Sequence, residues 1–237
     1  NKSGHGFSSL IICPYFANEG FPNLNHGFLD PAAEVVRQSG GIIIADEVQA
    51  GFGRVGSHMW GHQRIGLRPD VVTLGKPMGN GHPVAGVVTS KEVMSNFQNS
   101  YRYFNTFGGN PVSCAAAEAV IDVLEEEELL EQAKNVGTYA CDRLRDLATR
   151  HKCIGDVRGS GLFFGAEMVL DRETKQPATD FAKRIANEMR KEGILINVLG
   201  IHYNVLKIRP PMQFTRSNAD LLIDTLDQVL ARINLNE

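Results

Sequence analysis

Hydrophobic residues fall along this chain in two spacings. Short unbroken apolar runs appear at Leu10-Ile11-Ile12-Cys13, Ile42-Ile43-Ile44-Ala45, Val71-Val72-Thr73-Leu74 and Val84-Ala85-Gly86-Val87-Val88-Thr89. Each is short, rich in β-branched residues and flanked by polar or turn-forming residues, the pattern of strands in a buried sheet. Phe28 to Gln38 reads as a helix that Gly40-Gly41 ends before the Ile42 run, so the first two strands and this helix form the βαβ unit of a parallel sheet. Only seven residues separate Lys76 from Val84. A parallel crossover needs about a dozen or more, so the last two strands are expected to be antiparallel neighbours.

A helical spacing takes over further on. Asn110-Pro111 starts a helix running to about Leu124, with Asn as N-cap and Pro at the first position. Glu125 to Glu128 reads as a solvated turn. Leu129, Ala133, Val136, Ala140, Leu144 and Leu147 then repeat every three or four residues, an amphipathic helix. Ile154 to Arg158 and Leu162 to Met168 look like paired strands around Gly159-Ser160-Gly161. A helix follows from Ala178 to Lys191, then short strands at Ile194-Leu195-Ile196 and Val205 to Arg209. A last helix opens on Ser217-Asn218-Ala219-Asp220, which resembles a capping box. These patterns place a domain boundary near residue 125. A mostly parallel α/β part covers 1–125 and a smaller α+β part covers 126–237.

Composition narrows the class. The chain has 237 residues, 43% hydrophobic and 22% charged, as expected of a globular protein with a substantial core. A net charge of -3 without basic runs argues against nucleic acid and acidic membrane surfaces as partners. No apolar run approaches the ~18 residues of a spanning helix. Four dispersed cysteines, with no Cys-x-x-Cys pair, read as reduced thiols rather than disulfides or metal ligands, which suits an intracellular reducing compartment, cytoplasmic or mitochondrial. The chain opens on Asn1-Lys2-Ser3-Gly4-His5-Gly6 rather than on Met and reads as an internal start.

Candidate chemistry lies at the strand ends. The Ile42 strand ends in Asp46-Glu47-Val48-Gln49, and thirty positions later the Val71 strand ends in Gly75-Lys76-Pro77-Met78-Gly79-Asn80-Gly81. Ligands of open α/β sheets bind at the carboxyl ends of the strands. An amine and an acid there match pyridoxal phosphate, whose aldehyde takes a Lys and whose pyridinium nitrogen takes a carboxylate. A carboxylate on a buried strand needs a cation or several hydrogen bonds. Burial of Lys76 beside another cation would favour its neutral, nucleophilic form.

Gly51-Phe52-Gly53-Arg54-Val55-Gly56 has the spacing of a dinucleotide fingerprint but does not follow its strand directly, and the acid expected about twenty residues on is missing. Thr106-Phe107-Gly108-Gly109-Asn110-Pro111 feeds a helix N-terminus, either an ordinary turn before a capped helix or a seat for phosphate. Lys207 and Arg209 alternate on one strand and so share a face, either a solvated edge or a clamp for an anionic substrate group.

Together the blocks Asp46 to Gln49, Gly51 to Arg54, Leu74 to Gly81, Thr106 to Pro111 and Gly155 to Leu162 resemble, in order, those of class III (ω-type) aminotransferases, fold type I enzymes dependent on pyridoxal phosphate. The resemblance covers nearly the whole chain. It implies that Lys76 carries the cofactor as a Schiff base and later moves the proton, and that Asp46 pairs with the ring nitrogen. Val48 packs on the ring and Gln49 reaches its hydroxyl. Thr106 reaches the phosphate of the partner's cofactor in a homodimer with shared sites. The family's N-terminal phosphate cup and ring-stacking aromatic have no match, so the chain resembles the C-terminal half or more of such an enzyme. Lys207 stands where many transaminases have the Arg that holds the substrate carboxylate. With Gly-Lys-Pro-Met-Gly-Asn-Gly-His-Pro and Lys-Ile-Arg-Pro-Pro-Met, this is similar to the phospho-lyase branch acting on phosphoethanolamine or phosphohydroxylysine. Three outcomes stay open: amino transfer from a primary amine to a keto acid, elimination of phosphate and ammonia from a phosphorylated amine, and an inactive fragment or dimerisation module.

Overall fold

The computed structural model describes Gly4 and residues 6–233; the opening Asn1 to Ser3 and His5 lie outside the described residues. The chain divides into two compact units. The first comprises the residues to Tyr15, Leu24–Gly53 and His58–Glu128. The second comprises Phe16–Asn23, Arg54–Ser57 and everything from Leu129. Two short segments before residue 125 thus pack with the second unit.

The first unit is built on a sheet of β1 (Ser9–Ile12), β2 (Ile42–Asp46), β3 (Val71–Leu74) and β4 (Gly86–Thr89), in that order. β1, β2 and β3 are parallel, while β4 runs antiparallel to β3 with Leu74 opposite Gly86. The short Lys76-to-Val84 connection allows no other pairing. Helix α1 (Asp30–Gln38) has Pro31 in its first turn and buries Ala33 and Val36. In β2, Ile43 and Ala45 are fully buried, and Asp70 Oδ2 accepts the Ile43 amide at 2.8 Å. The short α2 (Gly61–Arg64) follows β2. α3 (Lys91–Ser100) is capped by the Ser90 hydroxyl and buries no residue, so the apolar pattern carried no signal for it. α4 (Pro111–Glu126) starts at Asn110, whose side chain accepts the Ser113 amide.

The second unit is an antiparallel sheet in the order β5, β6, β8, β7: β5 (Ile154–Ser160), β6 (Phe163–Met168), β7 (Asn197–Leu199) and β8 (Val205–Ile208). Its core joins α5 (Leu129–Arg150), α6 (Thr179–Lys191) and α7 (Arg216–Arg232) to Phe164, Ala166, Met168, Leu206 and Ile208. All six periodic residues of α5 are buried. At about 1.5–3 kcal/mol for each large apolar side chain, this stripe alone explains why the segment is helical and docked.

Two expectations need correction. Ile194-Leu195-Ile196 is not a strand, because the end of α6 uses its backbone. Gly193, at φ +81, donates to Arg190 O and Ile194 donates to Met189 O at 2.9 Å, a Schellman-type cap that delays the strand to Asn197. The capping box of α7 lies two residues earlier than expected. Thr215 Oγ1 accepts the Asn218 amide at 3.2 Å, and the Thr215 amide donates to Asn218 Oδ1 at 3.1 Å.

Candidate active site

Asp46 is the last residue of β2, and in register it faces Thr73 of β3. Lys76 follows β3 by two residues and opens a 3₁₀ turn, Lys76–Gly79. Adjacent parallel strands thus bring the acid and the amine to the same carboxyl edge of the sheet. The tie is closer still at the next residues. A Cβ placed on Gly75 would touch Val48 Cγ2 at 3.7 Å and Ala85 Cβ at 3.9 Å, so Val48 reaches across to the residue before Lys76.

Asp46 is half-buried, and its Oδ1 accepts the Val48 amide at 3.0 Å. Among the described residues Oδ2 accepts no hydrogen bond, leaving one carboxylate oxygen for an outside donor such as a pyridinium N–H. On that ground the donor set fits pyridoxal phosphate. The expected burial of Lys76 is absent. Its side chain is exposed, and its backbone is left-handed at φ +42, a conformation that costs a non-glycine residue roughly 1 kcal/mol or more. Pro77 follows at once, and the turn is closed by Met78 N–H donating to Gly75 O at 3.1 Å.

The fully buried carboxylate of this strand end is Glu47, not Asp46. Its Oε2 accepts the Gly61 amide at 2.8 Å, and its Oε1 accepts the His62 amide at 2.7 Å and lies 2.8 Å from His62 Nδ1. Glu47 is therefore consumed in holding α2, while its neighbour points elsewhere. The four residues of α2 are too few for a periodic signal, so nothing in the sequence singles out this partner.

Gln49 is half-buried in the turn after β2. Thr106 is exposed, in the turn before α4. Asn105 Oδ1 shapes that turn by accepting the amides of Phe107 (3.0 Å) and Gly108 (2.9 Å).

Lys207 and Arg209 belong to the second unit. As alternation demands, both cations lie over the ring of fully buried Phe163, at 5.6 and 5.4 Å from its centre. They line a groove of about 600 Å³ with Lys183, Asn187, Arg190 and Asn197, and no carboxylate lines it. Burial lowers the pKa of Arg209, and its Nε is buried without a hydrogen-bond partner. Arg54, whose Nη1 donates to the carbonyls of Leu162 (3.3 Å) and Pro210, has its pKa lowered to about 10, first by burial and then by repulsion from Arg209. Arg54 and Arg209 thus stand close enough to repel each other.

Known proteins resemble the chain closely. The Aminotransferase class-III family model matches residues 2–230. "Ethanolamine-phosphate phospho-lyase homolog 1" of Caenorhabditis elegans is 47% identical over 210 residues, 87% of this chain and 45% of that protein. "Alanine--glyoxylate aminotransferase 2-like" of Drosophila melanogaster is also 47% identical, over 82% of this chain and 40% of its own length. A solved phospholyase from Arthrobacter, in complex with phosphoethanolamine, superposes with a TM-score of 0.94 at 44% identity, covering 98% of this chain and 55% of that one. The chain thus spans less than half the length of these curated relatives. Pyridoxal phosphate is the family's cofactor, as the motifs imply, and the fold is that of the type I enzymes. The family model spans nearly the whole chain, and the chain belongs to the class III aminotransferase family.

Proposed function

We propose that the protein carrying this chain is a pyridoxal-phosphate-dependent phospho-lyase that removes phosphate and ammonia from a phosphorylated primary amine. The observation that carries this reading is the pair of buried cations Arg54 and Arg209, which repel each other, with Arg209 Nε buried and without a hydrogen-bond partner among the described residues and Lys207 over the same Phe163 ring. A phosphate dianion supplies more compensating charge than a carboxylate and more acceptor oxygens. Likeness to the Caenorhabditis and Arthrobacter proteins supports the same substrate class.

When bound, pyridoxal phosphate supplies an electron sink next to the carbon that bears the substrate nitrogen. Lys76 would hold the cofactor aldehyde and, as a free amine, would take the proton from that carbon. Asp46, through the oxygen its own turn leaves open, would hold the ring nitrogen protonated. Val48 would pack on the ring, Gln49 would reach its hydroxyl, and Thr106 would serve the phosphate of the partner subunit's cofactor in a homodimer. Lys207 and Arg209 are the second unit's candidates for holding an anionic group of the substrate. With the cofactor bound, loss of that proton would allow phosphate to leave the neighbouring carbon, and addition of water would account for the ammonia and aldehyde formed.

A second reading, amino transfer to a keto acid, is favoured by the equal identity to the Drosophila protein. The full-length protein separates them. Given phosphoethanolamine and no keto acid, a phospho-lyase releases phosphate continuously; a transaminase stops after one half-turnover. Borohydride should fix the cofactor to the peptide bearing Lys76, and a colourless full-length protein would favour a non-catalytic module.

A further inference from the structure

Lys76 stands on a turn outside the sheet, with a left-handed backbone. Its turn is held by Met78 N–H to Gly75 O (3.1 Å), Asn80 N–H to Pro77 O (3.1 Å) and His82 N–H to Gly79 O (2.9 Å). These bonds all lie within the turn. Among the described residues, one side-chain hydrogen bond ties 76–85 to another element: His82 Nε2 lies 2.8 Å from the hydroxyl of Ser113, in the first turn of α4. Ser113 is buried. Its hydroxyl accepts from Asn110 Nδ2 at 2.9 Å, and its amide donates to Asn110 Oδ1 at 3.0 Å. Asn110 Nδ2 also donates to Phe107 O at 2.8 Å. His82 therefore grips the best-anchored point of α4, a serine fixed on both sides by the helix cap. Close packing adds to it: a Cβ on Gly79 would lie 3.3 Å from His82 Cβ and 2.6 Å from Val84 Cγ1.

The geometry points to His82 as a positioning residue for Lys76, acting through Ser113 and Asn110 to hold the amine-bearing turn against α4. This rests on Lys76 being the amine that takes the aldehyde. His82 itself touches neither substrate nor cofactor in this role.

Amide hydrogen exchange on the full-length protein tests the role without reference to the reaction. His82→Ala should speed exchange of the Met78 and Asn80 amides about tenfold, the factor expected for losing one net hydrogen bond, while Ile43 and Ala45 amides keep their rates. His82→Gln, whose amide nitrogen can replace Nε2, should restore them. Ser113→Ala should match His82→Ala, and the double variant should be no faster than either single one. In turnover, His82→Ala should lower kcat with KM for the amine unchanged. Unchanged exchange at Met78 and Asn80, additive effects of the two substitutions, or equal acceleration at Ile43 and Ala45 would overturn the assignment. Absence of a borohydride-fixed Lys76 peptide would instead remove the function on which it rests.

Discussion

Glu47 and His62 are joined 2.8 Å apart, with the carboxylate fully buried and both of its oxygens also receiving backbone amides of α2. Removing the carboxylate leaves two backbone amides and the His62 ring without their acceptor. Glu47→Ala should therefore cost about 2–4 kcal/mol of unfolding free energy, and Glu47→Gln, which keeps an acceptor, about half that. Urea unfolding of the chain measures both, and equal stability of Glu47→Ala and the parent would contradict the burial.

A pH dependence comes from the second unit. His151 Nε2 lies 2.6 Å from Asp227 Oδ1, and Arg150 pairs with the other oxygen. These bonds, His151 first, hold the Asp227 pKa below its usual 3.8. A carboxyl depressed in the folded state stabilises fully above its unfolded value, and that contribution is lost as pH falls through the folded one. Asp227→Asn should thus destabilise at pH 7, by no more than about 1 kcal/mol for a partly exposed group, and its effect should shrink as pH falls through the folded value. Unfolding curves at the two pH values check the sign.

The cation cluster should respond to inorganic phosphate. Binding to the folded state alone raises stability by RT ln(1 + [L]/Kd), so phosphate at about 100 times Kd adds about 2.7 kcal/mol. Thermal melts should rise with phosphate, and Lys207→Ala or Arg209→Ala should remove most of the increment. An equal rise in sodium chloride of the same ionic strength would mean screening rather than binding.

Cysteine reactivity should divide by burial. Burial pushes the Cys141 thiol up to about 11, and Cys153 is also raised, whereas Cys114 is exposed. Since thiolate is the nucleophile, iodoacetamide at pH 8 should label Cys114 first and reach Cys141 only on unfolding. Peptide mapping over time reads the order.

Strands β1 to β4, their order of direction and the helix of Leu129 to Leu147 were legible because period and connection length decide them locally. The placement of Lys76 and Asp46 at strand ends followed from the same pattern. What could not be read was which of two adjacent acids is buried. Asp46 and Glu47 differ only in the strand face they leave by, and the deciding groups, Gly61 and His62, lie on a helix of four residues. The His82–Ser113 contact spans 31 positions with no local pattern on either side. The exposure of Lys76 is not legible in the sequence, because the burial of an apolar strand does not carry over to the turn that follows it.

Gly137 of α5 and Gly161, in the turn between β5 and β6, meet backbone to backbone: a methyl on Gly137 would fall 2.0 Å from Gly161 O, and Gly161 itself sits at φ +56 against Arg54 O. No side chain of any size can be accommodated by local adjustment there. Libraries that rigidify loops by exchanging glycine for alanine will recover soluble variants elsewhere in this chain but lose every clone altered at these two codons, so the pair marks where engineering must stop.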